Sequence, residues 1–240
     1  MDLPSNSPTN SFCFAPVHNH PPHKDKAGVM HPSYDATGAF LPYMEAYRKL
    51  YSDAGTVKTL AFNNHASAKS EFQTILTEIN HAVSAAHAQL DALVYFGHGW
   101  PTGLVSADIY TPSIPDFAQL IRANCAPGVK IVLYACLCGQ KSAKGGCFAS
   151  QLASELSDVQ ATVFAHDNAG HTTTNPNIYV YSGNKPGLPV APPGMFGAFD
   201  KLLKAESLDR KPKGNTAFWA RVPFMTPDEI AAEVKSSSGR

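Results

Sequence analysis

Three stretches of the chain are apolar almost without a break: LDALVYFG at 90–97, VKIVLYA at 129–135 and VQATVFAH at 159–166. Short runs of this kind, bounded by glycine, proline and polar residues, predict strands buried on both faces. FCFAPV at 12–17, VKTLAF at 57–62, NIYVY at 177–181 and TAFWARV at 216–222 predict further strands. Between them the apolar positions recur at three- and four-residue steps, the period of a helix with one buried face. Leu41, Met44, Tyr47 and Tyr51 share such a face within 41–53, and Phe72, Ile75, Leu76, Ile79 and Val83 share one over 67–88, with Ser67 as its N-cap. Residues 113–124 read as a helix capped by Ser113, with Pro115 and Asp116 in its first turn. Phe148, Leu152 and Leu156 mark a helix that Cys147 opens, and a short helix is expected near 198–206. Thr226, Pro227 and Glu229 form a capping box for a last helix.

Strand–helix alternation with continuous apolar strands predicts an α/β protein, a three-layer sandwich around a mostly parallel sheet. The expected organisation is an irregular N-terminal segment (1–40), a core (41–182) and a Pro/Gly loop with a C-terminal extension packing on that core (183–240).

Composition narrows the partners. The 240 residues carry 19 basic and 19 acidic side chains, without a basic run, so nucleic acid is not an expected partner. No window of 18 residues is uninterruptedly apolar and the first residues lack a signal-peptide pattern, so neither a membrane nor secretion is expected. The cysteine count of five is odd and forms no disulfide framework, which points to reduced thiols and a cytoplasmic location.

Ligands of such sheets sit beyond the carboxyl ends of the strands. The strand at 90–96 leads into His98, set between Gly97 and Gly99; the strand at 129–135 leads into Cys136; the strand at 159–165 leads into His166 and Asp167. A thiol is nucleophilic as its thiolate, and a neighbouring imidazole takes its proton or stabilises the anion. Gly99 allows close approach of a substrate, and its N–H with that of Cys136 is placed to face a developing oxyanion. The polar stretch NAGHTTTNP, with His171 and Thr172, follows a strand end and joins His166 and Asp167 as expected substrate-binding residues. Asp167 there favours a basic ligand side chain, because none of the five arginines falls on that edge.

The motifs YFGHG and LYACLCG, with His98 and Cys136 separated by 38 residues and one helix between, resemble those of the caspase-like cysteine peptidases (caspases, metacaspases, legumains, gingipains, clostripain and separases). The resemblance spans about residues 57–166, roughly half the chain. It implies a caspase-like fold and a cysteine endopeptidase acting on a protein or peptide substrate, with no cofactor; no recruitment domain is visible, so control is expected from an activating partner protein, a ligand or self-cleavage. By resemblance, His98 is the general base and acid and Cys136 forms the acyl-enzyme. The sequence departs from two subfamilies: Tyr134 stands where metacaspases carry an acidic residue, and Tyr-Ala-Cys-Leu-Cys replaces the caspase Gln-Ala-Cys-Arg-Gly. Two alternatives compete. One is a catalytically silent scaffold of the same fold. The other is a metal-binding protein, with zinc held by Cys136, Cys138, Cys147 and His166 or His171, or a metal held by the loose cluster His18, His20, His23 and His31.

Overall fold

The structure, a computed structural model, describes residues 3–17, 23–31, 40–62, 68–86, 88–142, 145–169, 177–190, 198 and 218–238. Its strands are β1 (Asn10–Pro16), β2 (His23–Lys24), β3 (Met30–His31), β4 (Thr56–Phe62), β5 (Leu90–Phe96), β6 (Gly99–Trp100), β7 (Gly103–Leu104), β8 (Ile109–Tyr110), β9 (Cys125–Tyr134), β10 (Thr162–His166), β11 (Ile178–Ser182) and β12 (Leu188–Pro189). The main helices are α1 (Phe40–Tyr51), α2 (Ala68–Ala86), α3 (Ile114–Asn124), α4 (Phe148–Glu155) and α5 (Pro227–Ser238).

Seven strands form one mixed sheet in the order β12-β11-β10-β9-β5-β1-β4. β4, β1, β5, β9 and β10 run parallel, while β11 and β12 add antiparallel pairs at one edge. The continuous apolar runs are explained by the two cores. On one face α2, α3 and α4 pack on Phe12, Phe14, Leu93, Tyr95, Ile131, Leu133 and Val163. On the other, α1 and α5 pack on Cys13, Val94, Phe96, Val132, Tyr134 and Phe164. The protein is therefore an α/β protein with helices on both faces of a mostly parallel sheet. Among the described residues, no helix is long and apolar enough to cross a membrane.

Four expectations change. First, β1, expected in the irregular segment 1–40, lies inside the sheet between β4 and β5 and is buried along its whole length. Second, among the described residues of the strand expected at 216–222 there is no strand: Phe218–Arg221 is a helical turn and Val222–Phe224 a 3-10 turn. Pro223 cannot donate to a sheet ladder, and Arg221, 5% exposed, turns inward to meet Glu233 of α5 at 2.6 Å. Third, Ser113 does not cap α3; its hydroxyl is spent on Tyr110, accepting from the N–H at 3.0 Å and donating to the C=O at 2.8 Å. Fourth, β9 starts at Cys125, four residues before the expected 129, with Gly128 in the left-handed region. The box at 226–229 forms as expected, with Thr226 N–H on Glu229 Oε2 at 2.6 Å and Glu229 N–H on Thr226 Oγ1 at 3.2 Å. Ser67 and the helix expected near 198–206 lie outside the described residues, except for Ala198.

The connections place an opening. The chain leaves β1 through α1 on one face and leaves β5 through α3 on the other. Strand neighbours whose connections diverge in this way leave a crevice beyond their carboxyl ends. His98 follows directly from β5 at that crevice.

Candidate active site

β5 and β9 pair in parallel register through Phe96↔Tyr134, so the chains leaving them emerge side by side. The pairing persists one step further, where Gly97 N–H donates to Tyr134 O at 3.3 Å. His98 and Cys136 thus stand at equivalent places on neighbouring strand ends. A Cβ built on Gly99 would lie 2.7 Å from the Cys136 carbonyl oxygen, 2.8 Å from Ala135 Cβ and 2.4 Å from Cys138 Sγ. Only a glycine lets the two loops close this far.

The main chain of His98 is held from three sides. Its N–H donates to Ser106 Oγ at 3.1 Å, and its C=O accepts from Tyr95 O–H at 3.0 Å and from Val105 N–H at 2.9 Å. Tyr95 reaches back across Gly97, where a Cβ would meet the phenol oxygen at 2.2 Å. The imidazole is half-buried, and Phe40 at the start of α1 meets it edge-on with ring centroids 5.1 Å apart.

Cys136 sits where β9 stops. Leu137 next to it has φ +62°, a left-handed conformation that costs a leucine about 1–2 kcal/mol. That turn is fixed by Leu137 N–H on Asn168 O at 3.3 Å, Gln140 N–H on Leu137 O at 2.8 Å and Gly139 N–H on His166 O at 2.7 Å. The end of β10 is thereby tied to the Cys136 loop. None of the five cysteines is in a disulfide, and Cys136 alone among them is not buried.

The other sulfurs have structural work. Cys138 is fully buried, and its sulfur lies 3.7 Å from the Gly103 carbonyl, to which its thiol donates. Burial pushes this thiol up. Cys138 thus pins the hairpin β6–β7 onto the Cys136 loop. Cys147 caps α4: its sulfur accepts from Ser150 N–H at 3.3 Å while Ser150 Oγ accepts from Cys147 N–H at 2.9 Å. The next two N–H groups of α4 are also taken, Phe148 by Pro101 O at 2.8 Å and Ala149 by Cys138 O at 3.0 Å. The amino end of α4 is a joint between loops, with its donors occupied.

His166 is placed next to the site but is only 2% exposed, with its ring 6.3 Å from that of Tyr134. Burial drives its pKa down to about 4, against a bond to the Asn177 backbone that favours the charged form, and its Nδ1 has no hydrogen-bond partner. Asp167, half-buried, faces the α4 side. It lines a cavity of about 510 Å³ with Gly139, Lys141, Cys147, Tyr179 and Lys185. Burial raises the Asp167 carboxyl, opposed by a hydrogen bond from Tyr179. His98 and Cys136 are not among the walls of this cavity. His171 and Thr172 lie outside the described residues.

Among the described residues, no group of three or more His, Cys, Asp or Glu side chains is arranged to hold a metal ion, so the set Cys136, Cys138, Cys147 and His166 is not assembled as a centre. His31 pairs instead with Asp25 at 2.9 Å across the turn between β2 and β3, and His18 and His20 lie outside the described residues. The described arginines are committed to carboxylates: Arg48 to Glu45, Arg122 to Glu155 and Asp158, and Arg221 to Glu233. Sequence reasoning missed Tyr95 and Ser106, whose parts depend on a loop folding back rather than on any local pattern.

Fold and site define an α/β protein that presents an accessible thiol and an imidazole on adjacent strand ends. The profile of a family described as a domain of unknown function, DUF8616, matches residues 61–180, half of the chain. The chain belongs to that family, and the matched segment contains both His98 and Cys136. No curated protein matches the chain. A solved short-chain dehydrogenase/reductase from Serratia marcescens BCRC 10948 is similar at 14% identity and a TM-score of 0.37, covering 65% of this chain and 72% of that one.

Proposed function

We propose that the protein is a caspase-like cysteine endopeptidase that uses His98 and Cys136. The observation that carries this reading is that Cys136, alone of five cysteines in being accessible, leaves the strand next to the one that delivers His98. A cysteine kept for packing would be buried like the other four. The firm anchoring of the His98 main chain and the strained Leu137 are further support, since fixed geometry and local strain gather at reacting groups.

In this mechanism His98 takes the proton from the Cys136 thiol and Sγ attacks the carbonyl carbon of the peptide bond. The carbonyl oxygen becomes an oxyanion, for which the N–H groups of Gly99 and Cys136 are the donors. The C–N bond breaks as His98 returns the proton to the departing amine, leaving a thioester on Cys136. Water then attacks the thioester with His98 as base, releasing the carboxylic acid and restoring the thiol. No cofactor enters these steps.

The test is intact-mass analysis after treatment with a peptidyl acyloxymethyl ketone, together with cleavage of a diverse peptide library. One adduct, at Cys136, is expected for wild type and none for Cys136→Ala. Both Cys136→Ala and His98→Ala are expected to abolish cleavage with unchanged thermal unfolding. Full cleavage by Cys136→Ala would remove the proposal.

A further inference from the structure

Trp100 is a large apolar side chain left in water beside the reactive pair, and it is 55% exposed. Exposed apolar residues scattered singly need no explanation. This one differs because its backbone is fixed. It pairs with Gly103 in the hairpin β6–β7, and the buried Cys138 thiol donates to the Gly103 carbonyl of that hairpin at 3.7 Å. The residue before it, Gly99, is pressed against the Cys136 loop. Behind it, Pro101 O accepts from Phe148 N–H of α4 at 2.8 Å and Thr102 O accepts from Thr111 N–H at 2.8 Å. An indole on a frame this rigid loses little entropy when something covers it, which is the property of aromatic anchors in recognition surfaces.

Its position tells which part of a substrate would cover it. His98 and Trp100 are two apart along an extended segment, and residues so spaced project from the same face. In the proposed reaction the departing amine must face the imidazole that protonates it. The polypeptide on the amine side of the broken bond therefore leaves across His98 and toward Trp100.

From this we infer that Trp100 is a specificity-determining residue, taking a bulky apolar side chain, aromatic or long aliphatic, within the first residues after the cleaved bond. The inference rests on the peptidase reading and names the substrate class for it. An aromatic or aliphatic side chain against an indole gains both burial and ring contact, which sets the expected discrimination on the order of 10-fold.

The test uses two peptide series, identical except for Phe, Leu or Gly in the two positions after the cleaved bond. For wild type, kcat/KM is expected to be on the order of 10-fold higher for Phe and Leu than for Gly. Trp100→Ala should erase that ratio, and Trp100→Phe should restore most of it. An unchanged ratio in Trp100→Ala overturns the inference and leaves the peptidase reading intact. A second measurement needs no turnover: in a Trp219→Phe, Cys136→Ala background, Trp100 is the sole indole. Its emission should shift on titration with the Phe and Leu peptides and not with the Gly peptides. Such a shift without cleavage by any Cys136 enzyme would sink the peptidase reading while Trp100 recognition stands. No shift with any peptide would overturn the inference.

Discussion

Replacing Gly99 with alanine adds a single methyl where the loops bearing His98 and Cys136 meet. That methyl would lie 2.4 Å from Cys138 Sγ, 2.7 Å from the Cys136 carbonyl oxygen and 2.8 Å from Ala135 Cβ, whereas ordinary contact begins near 3.4 Å. The sulfur cannot swing clear, because it is fully buried and its thiol is engaged by the Gly103 carbonyl. The carbonyl cannot move alone, because it belongs to the turn tied to Asn168 and His166. The strain is relieved by the hairpin retreating about 1.0 Å, the shortfall to the sulfur, and such overpacking costs about 1–3 kcal/mol. The retreat carries His98 away from Cys136, and a misplacement near 1 Å costs on the order of 100-fold in rate. Gly99→Ala is therefore expected to lower the urea midpoint and to slow labelling of Cys136 by the peptidyl ketone far more than labelling by iodoacetamide. Cys138→Ala added to it should recover part of the stability and less of the rate, since the carbonyl clash remains. A Gly99→Ala protein with wild-type midpoint and labelling rate would refute the idea that the two loops are locked in contact.

Three further outcomes follow from the same structure. His166 has a folded pKa near 4 against 6.5 when unfolded, so between these values the unfolded chain binds the extra proton. Its stabilising contribution is whole above pH 6.5 and is lost as pH falls toward 4, about 3 kcal/mol in all, so urea midpoints should drop across that window and His166→Gln should flatten the slope. Glu233→Ala removes the carboxylate that meets the buried Arg221 guanidinium and should cost about 3–5 kcal/mol in denaturant unfolding, with Arg221→Met/Glu233→Leu recovering most of it; a loss under 1 kcal/mol would contradict the buried pairing. Asp167 carries the expected preference for Lys or Arg at the cleavage site, so a positional-scanning library should show that preference in wild type and lose it on the order of 10-fold in Asp167→Asn; preference for Asp or Glu, or no change in the variant, would exclude that role.

The legible parts of the chain were those whose environment is written locally. β5, β9 and β10 are covered on both faces, so nearly every residue is apolar, and the residues that end them stand out as the polar exceptions. His98 and Cys136 could be picked out for that reason. TAFWARV shows the limit: a short apolar run satisfies a buried strand and a buried turn equally, and the choice is made by Glu233 drawing Arg221 inward. Ser113 has the right spacing to cap α3, but Tyr110 offers both a donor and an acceptor within reach. The bracing of His98 was invisible because Tyr95 and Ser106 act only once the hairpin after β5 has folded back.

The place of β1 carries a consequence for how the protein is made. Its first neighbour, β4, begins at Thr56, and its second, β5, meets it through Ser11↔Ala92 and Phe14↔Tyr95. β1 must therefore wait, with one backbone edge unpaired until β4, roughly forty residues on, and the other until β5, roughly eighty residues on, have left the ribosome. Contacts of that sequence separation form slowly, and open edges invite pairing with other chains in the interval. The expectation during synthesis is a late, concerted closure of the sheet rather than stepwise growth from the amino end, with yield more sensitive to translation speed and chaperone supply than the finished core would suggest.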